Sequence, residues 1–472
     1  MLSLVASRAD AAPPQIQIPT EEQLQPGEYT QTGVEGYLSG LARTQFLLGN
    51  MGGLRPFLSQ YGISLALQET SEVLGNVTGG LHTGFDYDGL TQMVLQLDTN
   101  RGFGWYGGLF NASALQIHGR NLSADNLGSL QTASGIEADR ATRLWELWYD
   151  QKMLEEDRLS IRVGQQSLDQ EFIVSQNASY FVNTMFGWPM VPSADLPGGG
   201  PAYPLSALGV RFKARPIDSV TLLVGVFNGS PIPNGAIGDS QQINASGTTF
   251  PTNGGQLVIA ELQYSYPALG SMLYADQSEP LARVYKIGFW YDTERFSDLR
   301  FDNTGLSLAN PLSTGIAQQH RGDYSIYAVA DQLVWVDPKE ADRTINLFAR
   351  AMGTPQQNRN LIDFSLNAGM IFHEPFLHRD DDTFGIGMGF AQVSGQAAGL
   401  DQDTAFYTGS YTPRRSNETF IEVTYQYSVA PWLMLQPDVQ YVFNPGGGIA
   451  NSSDTGRVKN ELVLGLRTNI LF

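Results

Sequence analysis

The chain has 472 residues, no cysteine, 51 glycines, 11% aromatic and 16% charged residues, and a net charge of −19 from 28 Lys and Arg against 47 Asp and Glu. Absence of cysteine excludes a disulfide scaffold and any thiolate-ligated metal or iron–sulfur centre, and the acidic balance argues against nucleic acid, whose phosphates need clustered Lys and Arg. A hydrophobic content of 42% speaks against disorder, and low charge with many glycines and aromatics leans toward a Gly-punctuated all-β chain.

The first residues, MLSLVASRADAAP, resemble the tail of a signal peptide, with small residues around Ala9 to Ala12 but no basic stretch ahead of the apolar patch. Residues 13–32 are rich in Pro, Gln and Glu and read as a flexible segment, so 1–34 is taken as signal remnant and flexible lead. Residues 35–60 do not alternate. Their spacing suits one or two short helices broken at Gly49 to Gly53, a plug-like periplasmic segment ahead of the first strand. No run of about 18 apolar residues exists that would cross a membrane as a helix.

From 61 to 472 the period is 2. In LGVRFKARP, Val210, Phe212 and Ala214 oppose Arg211, Lys213 and Arg215; in TFIEVTYQYSV, Ile421, Val423 and Tyr425 oppose Glu422, Thr424 and Gln426. In WLMLQPDVQYVF, Val439, Tyr441 and Phe443 oppose Gln436, Asp438 and Gln440; in ELVLGLRTNILF, Leu464 and Leu466 oppose Arg467 and Asn469. About sixteen such segments lie near 61–74, 90–99, 104–118, 142–152, 158–166, 206–215, 219–228, 256–266, 282–294, 322–336, 343–353, 361–373, 382–394, 418–430, 432–443 and 460–472. Those near 90–99, 104–118, 219–228 and 322–336 have ambiguous faces. Long polar connections are expected at 119–141, 167–205, 229–255, 295–321, 395–417 and 444–459.

A soluble sandwich alternates too. Three details favour a transmembrane antiparallel β-barrel of about 16 strands. Segments reach the roughly 9–11 residues of a tilted span. Aromatic residues sit near segment ends, as a membrane girdle requires: Trp105, Tyr106, Trp145, Tyr149, Trp290, Tyr291, Tyr425, Tyr427, Trp432 and Tyr441. The polar face carries full charges, which a water-filled lumen tolerates and a packed core does not.

Two stretches carry a family resemblance. LLGNMGGLRPFLSQYGI resembles the glycine-rich motif of the carbohydrate-selective porins, the OprB family, through Gly49, Gly52, Gly53, Arg55, Leu58, Gly62 and Ile63, with Asn50 and Met51 in place of the usual acidic residue and Trp. APWLMLQPDVQYVFNPGGG with LGLRTNILF is similar to the family's C-terminal pattern through Gln436, Pro437, Asp438, Gln440, Tyr441, Asn444, Pro445, Gly446, Gly447, Gly465 and Arg467. The resemblance implies a sixteen-stranded outer-membrane channel for sugars. Phe472 is also similar to the C-terminal aromatic that the barrel-assembly machinery reads.

In a porin, the connection 167–205 would fold into the lumen and narrow it. Its aromatics Tyr180, Phe181, Phe186 and Trp188 suit sugar stacking, and Asp169, Glu171, Asn177 and Asn183 suit hydroxyls. An outer lid whose aromatics pack on one another is the other reading. The ladder Arg211, Lys213 and Arg215 with Arg162, opposed to Glu146 and Asp150, would set a transverse field and exchange hydrogen bonds with sugar hydroxyls. HEPFLH has the wrong spacing for a zincin and a Pro where a helix is needed. GIGMGF puts Gly385, Gly387 and Gly389 on one strand face, leaving room for something opposite; it does not lead into the helix a phosphate cradle needs.

The expected function is passive, substrate-selective diffusion of sugars, without cofactor, metal or catalytic residues. The alternatives are a general or ion-selective porin and a structural surface barrel; a barrel enzyme lacks an evident nucleophile motif. The expected partners are sugars, outer-membrane lipid and lipopolysaccharide and, during biogenesis, the assembly machinery, with homotrimer and monomer both compatible.

Overall fold

The computed structural model describes residues 45–267, 281–377 and 379–472. The lead 1–34, residues 35–44 of the expected helical segment and His378 lie outside the described residues.

Sixteen strands form one closed antiparallel barrel in which each strand pairs with its chain neighbours and the last pairs with the first. They are β1 (Ile63–Thr78), β2 (Gly84–Asp98), β3 (Gly108–Gly119), β4 (Ala141–Met153), β5 (Leu159–Gln166), β6 (Ala207–Ile217), β7 (Val220–Asn228) and β8 (Gln256–Tyr266). The second half is β9 (Arg283–Asp302), β10 (Ala317–Val336), β11 (Thr344–Gly353), β12 (Ile362–His373), β13 (Thr383–Val393), β14 (Asn417–Ala430), β15 (Leu433–Phe443) and β16 (Glu461–Leu471). Every expected segment is one of these strands. The largest extensions lie at the long-loop end, while at the other end β3 starts at Gly108 instead of 104. β9 and β10 run on to Asp302 and from Ala317, so the expected connection 295–321 shrinks to 303–316. In these extensions both strand faces mix polar and apolar residues, so period 2 no longer marks a strand.

Outward residues such as Phe212, Ile287, Phe289, Leu347 and Leu466 are exposed, as a lipid-facing surface requires. Tyr291, Tyr427 and Tyr441 are exposed too, and Trp105 and Tyr106 lie in the turn after β2. Two of the expected girdle residues turn inward instead: Trp145 and Trp290 are 5% and 1% exposed and belong to the interior. The four segments with ambiguous faces are resolved by the same interior. Leu90 on β2 and Leu115 and Ile117 on β3 pack on Ile136, Ala138 and Trp145, while Leu223, Phe227, Tyr327 and Val329 join a second cluster around the loop after β5. There the inner wall is apolar because loops cover it.

The barrel seam is tied by the segment ahead of β1. Asn50 caps a turn through its side chain, which accepts from Gly53 N at 3.3 Å, and α1 (Leu54–Ser59) follows. Arg55 is 2% exposed beneath this turn. Its guanidinium donates to the carbonyls of Gly49 and Phe472 and, at 3.4 Å, Leu65, and stacks 4.3 Å from the Phe46 ring centroid. One side chain thus joins the leading segment, the first strand and the chain end beyond β16. On the seam itself, Gly465 lies opposite Leu74, whose side chain occupies the space a Cβ would need.

Arg55→Ala leaves three partly buried carbonyls unpaired and is expected to cost about 2–4 kcal/mol. The readout is a lower temperature for conversion of the folded to the unfolded band on a semi-native gel; an unchanged temperature removes Arg55 from the seam.

Candidate functional site

The connection between β5 and β6 is the longest in the chain and lies inside the barrel. Its own amides need partners there, because a buried N–H or C=O left open is costly. The opposite wall supplies them. Glu261 on β8 accepts from Ile173 N at 2.8 Å. Asp331 on β10 accepts from Ser175 Oγ at 2.6 Å and from Asn177 N and Nδ2 at 3.2 and 3.0 Å. Glu422 on β14 takes Val182 N at 2.6 Å and Asn183 N at 3.0 Å. Lys286 donates to Val174 O at 2.7 Å and Gln436 to Tyr180 O at 2.8 Å. The central fastening is Arg350 on β11, 1% exposed, which donates to Ile173 O at 3.0 Å, Gly187 O at 2.9 Å and Met185 O, and to Asn367 Oδ1 at 3.1 Å.

This packing corrects the expected stacking platform. Phe181, Phe186 and Trp188 are 5%, 1% and 5% exposed and present no free ring face to a sugar. Phe181 stacks on Phe186 at 4.3 Å, and Phe186 meets Phe348 and Phe420 edge-on at 5.7 and 5.4 Å. Trp188 Nε1 donates to Gly199 O at 2.9 Å within the loop. Tyr180 is half-buried, edge-on to His373 at 5.1 Å. The glycine run on β13 explains the fit: a Cβ on Gly387 would lie 2.6 Å from the Phe186 ring and 2.8 Å from that of Phe181. The room left by these glycines is filled by the loop's own aromatics.

The charged ladder is also arranged differently. Arg211 is 1% exposed and bonded to Asp150 at 2.7 Å, to Glu171 at 2.7 Å and to Ser160 Oγ. Arg162 lies 3.1 Å from Asp150 and 3.7 Å from Glu171, with its guanidinium 3.8 Å over the Trp148 ring. Opposite charges therefore meet in contact instead of facing each other across the passage. Burial would push the Glu171 carboxyl up, but Arg162 and Arg211 hold it below the ordinary carboxylate range. Lys213 stays exposed, with no ion pair among the described residues. Arg215 sits at the short-turn end, donating to Glu156 O at 2.6 Å.

The remaining expected residues are framework. Glu146 accepts from Ser167 N at 3.0 Å and Asp169 from Tyr203 N at 3.0 Å, which closes the base of the loop. Asn183 spends its side chain on Gln440 at 3.0 Å and Met185 N at 3.0 Å.

A second loop, 120–140, also turns inward. Glu418 on β14 accepts from Leu130 N and Gln131 N, both at 2.8 Å, and from Gly446 N at 2.6 Å. The two loops bond each other through Gly135 N to Val182 O at 2.8 Å and Thr184 N to Thr132 O at 3.1 Å. Gln440 donates to Ala133 O at 2.8 Å, and Arg467 joins Glu72 on β1 to Val182 O at 3.4 Å. Period 2 put Gln436, Gln440, Glu422 and Arg467 on the polar face. Their service as sockets for loops more than a hundred residues away leaves no local signal.

A family model described as carbohydrate-selective porin, OprB family, matches residues 82–472. The chain is 25% identical over 455 residues to Porin B of Pseudomonas aeruginosa, covering 91% of this chain and 92% of that protein. It is 22% identical over 428 residues to the putative porin QuiX of Acinetobacter baylyi, covering 85% and 89%. The structure of Pseudomonas putida OprB at high pH superposes with a TM-score of 0.77 at 23% identity, over 91% of this chain and 99% of that one.

Replacing Arg350 by Gln removes the cation from four acceptors and is expected to weaken loop docking by about 3–5 kcal/mol. Single-channel recordings should then show larger conductance and more open-channel noise, with the folded band on a semi-native gel retained. A trace identical to wild type would mean that the loop is held without Arg350.

Proposed function

The chain belongs to the carbohydrate-selective porins of the OprB family, outer-membrane β-barrels through which sugars diffuse passively, and we propose that its constriction is formed by the loop 167–206 against β4–β6. The observation that carries this reading is the loop itself, fixed inside a closed barrel by Glu261, Asp331, Arg350 and Glu422. Lys213, Arg162 and Glu171 are the charged groups assigned to its polar rim. Arg162 and Arg211 pair with Asp150 and Glu171, and Lys213 is the cation left outside these pairs. The rim is thus a set of hydrogen-bond donors and acceptors with one positive charge in excess, suited to hydroxyl-rich neutral solutes.

The same reading divides the chain into a lead 1–34, a periplasmic plug-like segment 35–60 and the barrel 61–472; α1 with Arg55 supports the middle unit. The outward apolar face, with Phe212 and Ile287, is the proposed contact for outer-membrane lipid and lipopolysaccharide. Phe472 is the proposed signal for the assembly machinery.

Purified protein in planar bilayers should pass ions, and glucose or maltose should reduce that current with half-block on the order of millimolar, because binding must be weak enough to release. Current insensitive to both sugars points to a general porin, and no current to a structural barrel. Lys213→Ala should shift the reversal potential in a salt gradient toward cations; an unchanged potential takes Lys213 out of the rim.

A further inference from the structure

We propose that the long-loop mouth carries a separate docking platform for neutral hexoses, built on the exposed rings of Phe406 and Tyr407. The proposal rests on the reading of the chain as a sugar porin and adds a site to it. Phe181, Phe186 and Trp188 are buried and Tyr180 is half-buried against His373, so freely exposed ring faces have to be sought elsewhere. Helix α2 (Gly395–Thr408) in the connection from β13 to β14 supplies two of them.

The helix is firmly anchored at the long-loop mouth. Ser394 caps it by accepting from Ala397 N at 3.3 Å, and its first turns are buried, with Ala397 in the cluster that fills the lumen. Asp401 is held by Arg415, whose Nε and Nη2 both lie 2.9 Å from it. Asp403 is held by Arg300 of β9 at 2.7 and 2.9 Å. A helix rooted at β13 is thus fastened to β9, four strands away round the ring, and so spans that arc of the mouth.

The last turn is different. Phe406 is 80% exposed and Tyr407 38%, with their rings edge-on at 5.0 Å. The helix does not need Phe406, since two paired carboxylates and a buried first half already fix it. The Tyr407 hydroxyl accepts from Asn310 Nδ2 at 3.1 Å, which leaves its own O–H free to donate. An apolar ring face bordered by a hydroxyl and an amide matches a pyranose, which presents C–H groups on one side and hydroxyls at its edge. Charge decides the class of ligand: Asp401 and Asp403 are each neutralised by an arginine, so the patch offers neither an anion nor a cation site. Its uncharged character and its place at the long-loop mouth of a sugar porin select the sugar over a second copy or a lipid as the occupant.

The test is the rate at which glucose or maltose blocks single-channel current when added to one side of an oriented bilayer. Phe406→Ala is expected to slow block onset from the long-loop side about five-fold, the loss of one stacking contact, and to leave onset from the short-turn side as in wild type. Phe406→Trp should restore it, and its indole fluorescence should change on titration with the sugar. Equal onset rates from the long-loop side in wild type and Phe406→Ala would overturn the platform while leaving the porin reading intact. A fall in oligomeric mass on Phe406→Ala, by light scattering, would overturn it in favour of a contact between copies. Wild type that no sugar blocks would overturn the porin reading and the platform together.

Discussion

Hydrocarbon offers a peptide group no hydrogen-bond partner, so a chain that crosses it with strands must pair every strand on both sides. The pairing of β1 with β16 meets that demand, and it works antiparallel because the strand count is even. Closure has a cost inside. Sixteen strands enclose more volume than wall side chains can fill, and water enters. Narrowing that lumen means bringing loops into it, and each loop brings its own unpaired amides. The requirement that closes the sheet outside is thus transferred to the loops within.

The wall answers with charged and amide side chains. Glu261, Asp331, Glu418 and Glu422 each accept loop N–H groups, and Arg350 collects loop carbonyls. Residues that look like solvation of a wet pore are sockets. This also gives a physical reason for the C-terminal motif behind the family resemblance. Gln436 and Gln440 alternate inward on β15, Gly446 N meets Glu418, and Arg467 spans from β1 to the loop, so the motif records where loops dock.

Fold and site were legible to different depths for one reason. Strand alternation is a local property, set by two media on the two faces of one segment, and all sixteen strands can be read from it. It blurs where the media stop differing: past the apolar band, as in 295–302, and where loops make the inner wall apolar, as at Leu90, Leu223 and Tyr327. The loop 167–205 stood out by length and composition. Its aromatics, however, have the same composition whether they face sugar or pack on Gly387, and only the three-dimensional arrangement distinguishes the two. The ladder Arg211, Lys213 and Arg215 was likewise visible as a lumenal face, while the contact pairing of Arg211 with Asp150 and Glu171 depends on how far the loop reaches back.

That pairing bears on how such a channel would prefer sugars over ions. A constriction with separated charges builds a field that draws one sign of ion and orders water against it. Charges locked in contact cancel at the distance of a solute, and what remains is a rigid pattern of donors and acceptors with the single charge of Lys213 beside it. An ion gains little from that pattern and still loses hydration in the narrow section. A sugar exchanges its water hydrogen bonds for protein ones of similar strength, and because the loop is fixed at several wall residues the groups wait in position and cost no reordering. Selectivity on this view follows from the rigidity of the loop, so the anchors Arg350 and Glu422, which touch no solute, matter to it as much as the rim does.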